Sequence, residues 1–304
     1  MIPCHDQEVR KTVELGIITD EVHADFEVAC RHAARWGLPL VEVRNVDGKN
    51  VVLLDDSEAQ RAAGVVRDLG MSVSGVASPV FKSPLDEIAN AAAADFSVAG
   101  AVTVADQLRL LERSCELARV FGTRLVRVFT FLRVPMSGQV IEKIVGNMVE
   151  AAKVAARHDV VLAIENEPAC VIGTGKELAT FLDRLDEALD PELRSHVGAL
   201  WDPGNALAIG EERPYPDGYD VLPKGRIVHV HVKDLGAEAA SYGSFVPVGQ
   251  GRIDYRGQFE ALRRDGYSGS LVLEPHYAPS GMDSVQAAEV CVRAVREVLA
   301  ASEG

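Results

Sequence analysis

Four segments of the chain share one grammar: a stretch of helical character ends in glycine, and a β-branched run follows almost at once. They read RHAARWGLPLVEV, VVRDLGMSVSGV, ELARVFGTRLVRV and LRRDGYSGSLVL. Gly37, Gly70, Gly122 and Gly266 fall where a chain leaving a helix turns with positive φ, which glycine does without a Cβ clash. Adding the other β-rich runs gives eight candidate strands, at 15–19, 40–45, 72–77, 124–130, 160–165, 197–202, 227–233 and 270–275. Most are separated by amphipathic stretches of helical length. Strands that alternate with helices pair in parallel, and eight such units predict a closed (β/α)8 TIM barrel, an α/β fold, rather than an open sheet. No GxGxxG follows the first strand, which weakens a dinucleotide-binding reading.

No linker splits the chain, so its 304 residues are expected to form one domain over 1–304. Capping boxes are expected at Ser57 to Gln60 and at Thr174 to Glu177. Two connections are long: residues 78–102, with an alanine-rich piece that suits a short extra helix or a flap, and the Gly-rich residues 235–252. Both follow the C-terminal ends of strands, where barrels of this kind build their sites.

The formal net charge of −14 disfavours nucleic acid and anionic membrane as partners, because both repel such a surface. Cys4, Cys30, Cys115, Cys170 and Cys291 are scattered, odd in number and without a CxxC pair, as expected of reduced thiols. The N-terminus MIPCHDQEVRKTVELG is charged where a signal peptide is apolar, and no run is long enough to span a bilayer. A cytoplasmic protein is expected, with oligomeric state, including a homo-oligomer, left open.

The run IVHVHVKD (227–234) puts Val228, Val230 and Val232 in one phase and His229, His231 and Lys233 in the other. Alternate residues of a strand share a face, so the polar set projects to one side. The neighbouring strands supply a reason. Strand five ends in Glu165 (IENEP), strand six in Asp202 (WDPGN), strand seven carries His231 and strand eight ends in Glu274 (LVLEP). Taken singly, a carboxylate at a strand end more often caps a helix or joins an ion pair. Four in register on adjacent strands suit one divalent ion, Mn²⁺ first, with Mg²⁺, Co²⁺ or Zn²⁺ as alternatives. Without a cation, three clustered carboxylates repel and at least one keeps its proton at neutral pH.

Around this set, His229 reads as a buried core histidine and Glu167 as a residue at the turn before Pro168. Lys233 either contacts substrate oxygens or joins a salt bridge. Glu42 and Arg44, in one phase of VEVRN, either bind substrate hydroxyls or pair internally. His23 and His276 are further rim candidates, and Arg127, Arg133 and Arg252 are candidate phosphate or hydroxyl contacts.

The pieces IENEP, WDPGNA, HVHVKD and VGQGRIDYRGQFEALRRDGYSGSLVLEP resemble the xylose isomerase-like barrels, which include sugar-phosphate isomerases and epimerases. The resemblance runs from GIITDEV to LVLEPHY. It implies that Glu165, Asp202, His231 and Glu274 hold the metal and that Glu165 and Glu274 act as the acid/base pair of an enediolate isomerisation or epimerisation of a small carbohydrate. Substrate contacts are then expected from Glu42, Arg44, Asn205, Lys233 and His276. Two positions differ from the similar ketose 3-epimerases: Asn205 stands where they carry histidine, and Ala237 where they carry arginine. Inosose dehydratases, which expel water from the same kind of enediolate, also resemble this pattern. Endonuclease IV does too, but needs more rim histidines than His23, His231 and His276 supply. A barrel subunit of a larger assembly with a structural metal is a further alternative.

Overall fold

The computed structural model describes residues 13–85, 103–236 and 244–303. Eight parallel strands close into a barrel: β1 (Glu14–Ile18), β2 (Leu40–Val43), β3 (Ser72–Val76), β4 (Leu125–Val128), β5 (Val161–Glu165), β6 (Val197–Trp201), β7 (Ile227–Val232) and β8 (Ser270–Leu273). Each strand pairs with its neighbours in sequence, and β1 closes the ring on β8 with Ile17 opposite Leu273. All eight strands expected from the sequence are present, seven of them one to three residues shorter and β1 shifted one residue toward the N-terminus.

The strands are separated by α1 (Phe26–Arg35), α2 (Asp56–Asp68), α3 (Val104–Phe121), α4 (Gly138–Arg157), α5 (Gly175–Ala188), the short α6 (Pro203–Ala208) and α7 (Tyr255–Arg264), with α8 (Ser284–Ser302) after β8. The four glycines of the repeated grammar all have positive φ, between 69° and 76°. Thr174 and Glu177 form the expected capping box on α5. On α2 the box lies two residues earlier than expected: Asp55 caps and Glu58 answers, leaving Ser57 inside the first turn. Two acidic residues precede Ser57, and Asp55 accepts from the Glu58 N–H as well as a serine would.

Apolar residues of the strands and inner helix faces form one continuous core that includes Ile17, Val41, Val126, Ile164, Leu182 and Val230. Cys30, Cys115, Cys170 and Cys291 are buried free thiols; Cys4 lies outside the described residues. So do residues 86–102, including the alanine-rich piece, and 237–243, including Ala237. Among the described residues no helix is long and apolar enough to cross a membrane.

Candidate metal centre and active site

The C-terminal ends of β5 to β8 bring Glu165, Asp202, His231 and Glu274 together, each offering one ligand atom within 4.8 Å of the others. All four are at least 95% buried. Register explains the convergence: Glu165 lies opposite Leu200 on β6, and His231 lies opposite Val272 on β8, two residues before Glu274.

The local sequence holds each group in place. Asn166 accepts from the Asp202 N–H (2.9 Å) and donates to the Asp202 carbonyl (2.8 Å), locking the end of β6 to β5. Asp202 then caps α6, accepting from the Asn205 N–H at 2.9 Å. The Asn205 amide donates to Glu165 Oε1 at 3.1 Å. Gly204 permits this approach, since a Cβ there would lie 2.5 Å from Lys233 Cγ and 2.7 Å from the Lys233 carbonyl. Tyr255 braces the next strand by donating its hydroxyl to that carbonyl, at 2.6 Å.

Glu42 accounts for the alternating histidines of β7. It has no exposed surface, and its two oxygens meet His229 Nε2 at 2.6 Å and His231 Nε2 at 3.1 Å. With Nε2 of His231 committed to that carboxylate, Nδ1 is the nitrogen turned to the cluster, 3.4 Å from Glu165 and 3.8 Å from Glu274. A carboxylate behind a ligating imidazole fixes its ring and tautomer. Glu42 therefore sits beneath the cluster and not in the pocket lining, so its place differs from that of a substrate contact.

The donor set suits a hard or borderline divalent cation. Lys233 Nζ at 2.8 Å from Asp202 Oδ2 and Arg127 at 3.3 Å from Glu165 Oε2 offset part of the negative charge of the three buried carboxylates, and a divalent cation would offset more of it. Burial and the neighbouring Glu165 and Glu274 push Asp202 up to about 6, against the pull of the Lys233 ammonium. Burial also pushes Glu165 up, but Arg127 and His231 outweigh it and leave this carboxyl below the usual range. Glu274 falls further below, because Lys233, His276 and His231 overcome its burial.

Above the set lies a cavity of about 190 Å³ lined by Glu165, Glu274, Arg44, Lys233, His276 and, across the barrel, Arg127 with Lys82. Lys233 donates to Glu274 Oε2 (2.5 Å) and lies 2.8 Å from Asp202 Oδ2, so it faces the pocket and forms salt bridges at once. Arg44 donates to Glu274 Oε1 at 2.8 Å and pairs with Asp20 and Glu21. Its internal partners are thus not Glu42. His276, with φ of 41°, bridges Glu21 and Glu274 at 3.3 Å each and packs against Phe245 with its ring tilted by 45°. His23 is placed elsewhere, its Nδ1 accepting from the Asp25 N–H. Arg133 pairs with Glu177, and Arg252 is exposed and outside the lining. Glu167 pairs with Lys82 at 2.9 Å.

Besides Lys82 and Asp20, three contributors escaped the sequence reading. Asn166 and Glu21 lie within quoted stretches, IENEP and GIITDEV, where no spacing argument separates them from loop residues. Asp234 is the third: its carboxylate accepts from the N–H groups of Leu235, Gly249, Gly251 and Ile253, fastening the connection after β7. The signal was a buried acid directly after a strand, with glycines at 249 and 251.

Comparison with known proteins places the fold. Solved structures of similar fold include the IolI protein with a bound zinc atom, 15% identical with a TM-score of 0.75 and covering 95% of this chain and 99% of that one. L-ribulose 3-epimerase is 18% identical with a TM-score of 0.69, covering 96% of each. Among curated proteins, the inosose dehydratase of Geobacillus thermodenitrificans is 35% identical over 125 residues, 36% of this chain and 39% of its own length. That of Lactiplantibacillus plantarum is 26% identical over 162 residues, 48% of this chain and 50% of its own. The chain thus spans half or less of these relatives' length. A family model described as xylose isomerase-like TIM barrel matches residues 30–296, and the chain belongs to that family.

Proposed function

We propose that the chain is a divalent-metal-dependent isomerase or epimerase that enolises a ketose- or aldose-type carbohydrate, with Glu165 and Glu274 as its acid/base pair. The observation that carries this is the convergence of Glu165, Asp202, His231 and Glu274, buried at one rim with a ligand atom of each within 4.8 Å of the others. The proposed metal ligands are these four. A divalent cation held there supplies Lewis acidity toward a carbonyl oxygen and its neighbouring hydroxyl.

The residues do the proton work. Glu165 is assigned as the base, since both oxygens of Glu274 accept from charged donors, Lys233 at 2.5 Å and Arg44 at 2.8 Å, whereas Arg127 lies 3.3 Å from Glu165. It takes the proton from the carbon beside the carbonyl, and the electron pair left behind forms the enediolate. Glu274 returns a proton. Delivery to the other carbon, with the hydroxyl proton passed to the former carbonyl oxygen, isomerises the substrate, and delivery to the opposite face of the same carbon epimerises it. Arg44, Lys233 and His276 orient the hydroxyls from the pocket wall, while Asn205 acts from behind by holding Glu165.

A second reading is dehydration of a keto-polyol, favoured by the curated inosose dehydratases among the relatives. The same enediolate then expels its β-hydroxyl, which leaves as water after taking a proton. The Glu165→Gln variant tests the shared step. Metal-saturated enzyme is incubated with ketoses and inososes in D2O, expecting exchange to fall by about 10²- to 10⁴-fold. Unchanged exchange would exclude the two-glutamate scheme, and the product mass separates isomerisation from loss of water.

A further inference from the structure

We propose that Lys82, braced by Glu167, determines specificity by binding a hydroxyl of the substrate remote from the enolising carbons. The assignment rests on the proposed enolisation and adds a residue that reads the rest of the carbohydrate.

The five basic side chains of the pocket lining divide into two groups. Arg44, Lys233 and His276 each meet Glu274, Lys233 also meets Asp202, and Arg127 meets Glu165. Those four act on the ligand carboxylates. Lys82 meets Glu167 instead, at 2.9 Å. Its place in the ring differs as well. Glu274 and His276 follow β8, whereas Lys82 follows β3 and lies over the ring of Phe129, just after β4, the strand directly across the barrel from β8. A carbohydrate enolised beside Glu165 leaves the rest of its chain or ring to meet the pocket walls, and Lys82 is the basic side chain on them that is not committed to the ligand set.

The backbone holds Lys82 in this position. Its N–H closes a turn onto the Pro79 carbonyl at 2.9 Å, and Phe81 within that turn has φ of 64°, a costly conformation for a bulky side chain. Phe131, with φ of 61°, donates its N–H to the Phe81 carbonyl and packs its ring against that of Phe81, with centroids 4.9 Å apart. Phe129 and Leu132 donate to the carbonyls of Val80 and Ser83, at 2.9 Å each. Such strain persists only where its surroundings fix it, and here it fixes a residue that enters the pocket. Glu167 is held in turn by the Ala169 N–H, which donates to its Oε1 at 3.2 Å.

An ammonium has three N–H donors, of which Glu167 takes one, and each carboxylate oxygen has a second lone pair. Side by side, the two groups offer a donor and an acceptor to a hydroxyl, which is itself both. The Lys82 side chain keeps 26% of its surface exposed and that of Glu167 11%, against 1% for Lys233, so this pair is open to an incoming hydroxyl.

The test compares wild type with Lys82→Met and with Lys82→Met/Glu167→Gln, which leaves no unpaired carboxylate. All are loaded with divalent metal, with circular dichroism and metal titration as controls. Solvent deuterium exchange is followed by NMR for ketohexoses and their 6-deoxy analogues and for inososes and their deoxy analogues, and binding of the same pairs is measured by calorimetry. The expected result is unchanged metal affinity, a wild type that favours the hydroxylated member of at least one pair by about 10- to 100-fold in kcat/KM, and variants that lose this preference through KM and not kcat. A preference kept in the variants, equal loss for both members of every pair, a fall in kcat alone or weaker metal binding overturns the assignment and leaves enolisation standing. So does a 6-carboxylate analogue that the wild type prefers to the hydroxylated compound. Absence of exchange with every compound overturns the enolisation reading, and calorimetry then decides for Lys82 by itself: a hydroxyl preference present in wild type and lost in the variants supports the assignment, and its absence from the wild type overturns it.

Discussion

The two halves of the barrel contribute in opposite ways. The strands β5 to β8 each deliver one ligand-type side chain to the same rim, and Glu165, Asp202, His231 and Glu274 meet within 4.8 Å. The strands β2 and β4 deliver none of that set. They send Glu42 behind His231 and Arg44 against Glu274, while Arg127 meets Glu165 from the neighbouring strand. One half concentrates negative charge together with its nearest counter-charge, Lys233, and the other adds Glu42, Arg44 and Arg127 around it. A cluster of three buried carboxylates is tolerable only with such counter-charges and orienting partners.

That division predicts a graded response to substitution. The largest effect belongs to the ligand half: Glu165→Gln should lower turnover by about 10²- to 10⁴-fold in a metal-saturated assay while circular dichroism stays unchanged. Equal loss from an Arg127→Gln change would blur the proposed division of labour. Next comes the supporting half. Glu42→Gln, which weakens the orientation of His231, should reduce metal affinity by about 10- to 100-fold by calorimetry. Wild-type affinity in that variant would show that His231 needs no carboxylate behind it.

A third effect lies in the connection after β7. Asp234→Ala removes the acceptor of four backbone N–H groups, and a loss of about 1–3 kcal/mol in urea unfolding is expected, with faster amide exchange at Gly249 and Gly251. Away from the site the effect is smallest. Burial raises the Glu177 pKa, but Arg133 and the N–H groups of Gly173 and Thr174 outweigh it and leave it lowered. A lowered carboxyl stabilises the fold above its unfolded pKa and loses that contribution as pH falls through the folded value. Acidification below about pH 4.5 should therefore cost the wild type more stability than Glu177→Gln, by about 1 kcal/mol or less. An identical pH dependence of the two would contradict the assigned role.

The same contrast explains what the sequence made legible. The ligand half could be read because its residues recur at the ends of consecutive strands, and strand ends in parallel register face one rim. The four glycines with positive φ marked the repeat for the same reason: a local conformation demands a particular residue. The supporting half was harder. Glu42 and Arg44 were visible as polar residues in one phase of β2, but their partners lie nearly two hundred residues or more away, at His229, His231 and Glu274. Only closure of the ring brings them together. The α2 cap was displaced because acidic residues and serine compete for the same role, and Asp55 lies nearer the helix start. Asn166 and Asp234 act through backbone groups, and no spacing in the sequence announces a backbone partner.

The most direct test of the central claim is a divalent-metal titration of the wild type and of the Glu165→Ala/Asp202→Ala double variant, with circular dichroism as a control for folding. The account predicts about one ion per wild-type chain, with Mn²⁺ tried first, and loss of that binding in a folded double variant. Undiminished binding by the variant, or no binding by the wild type, would contradict it.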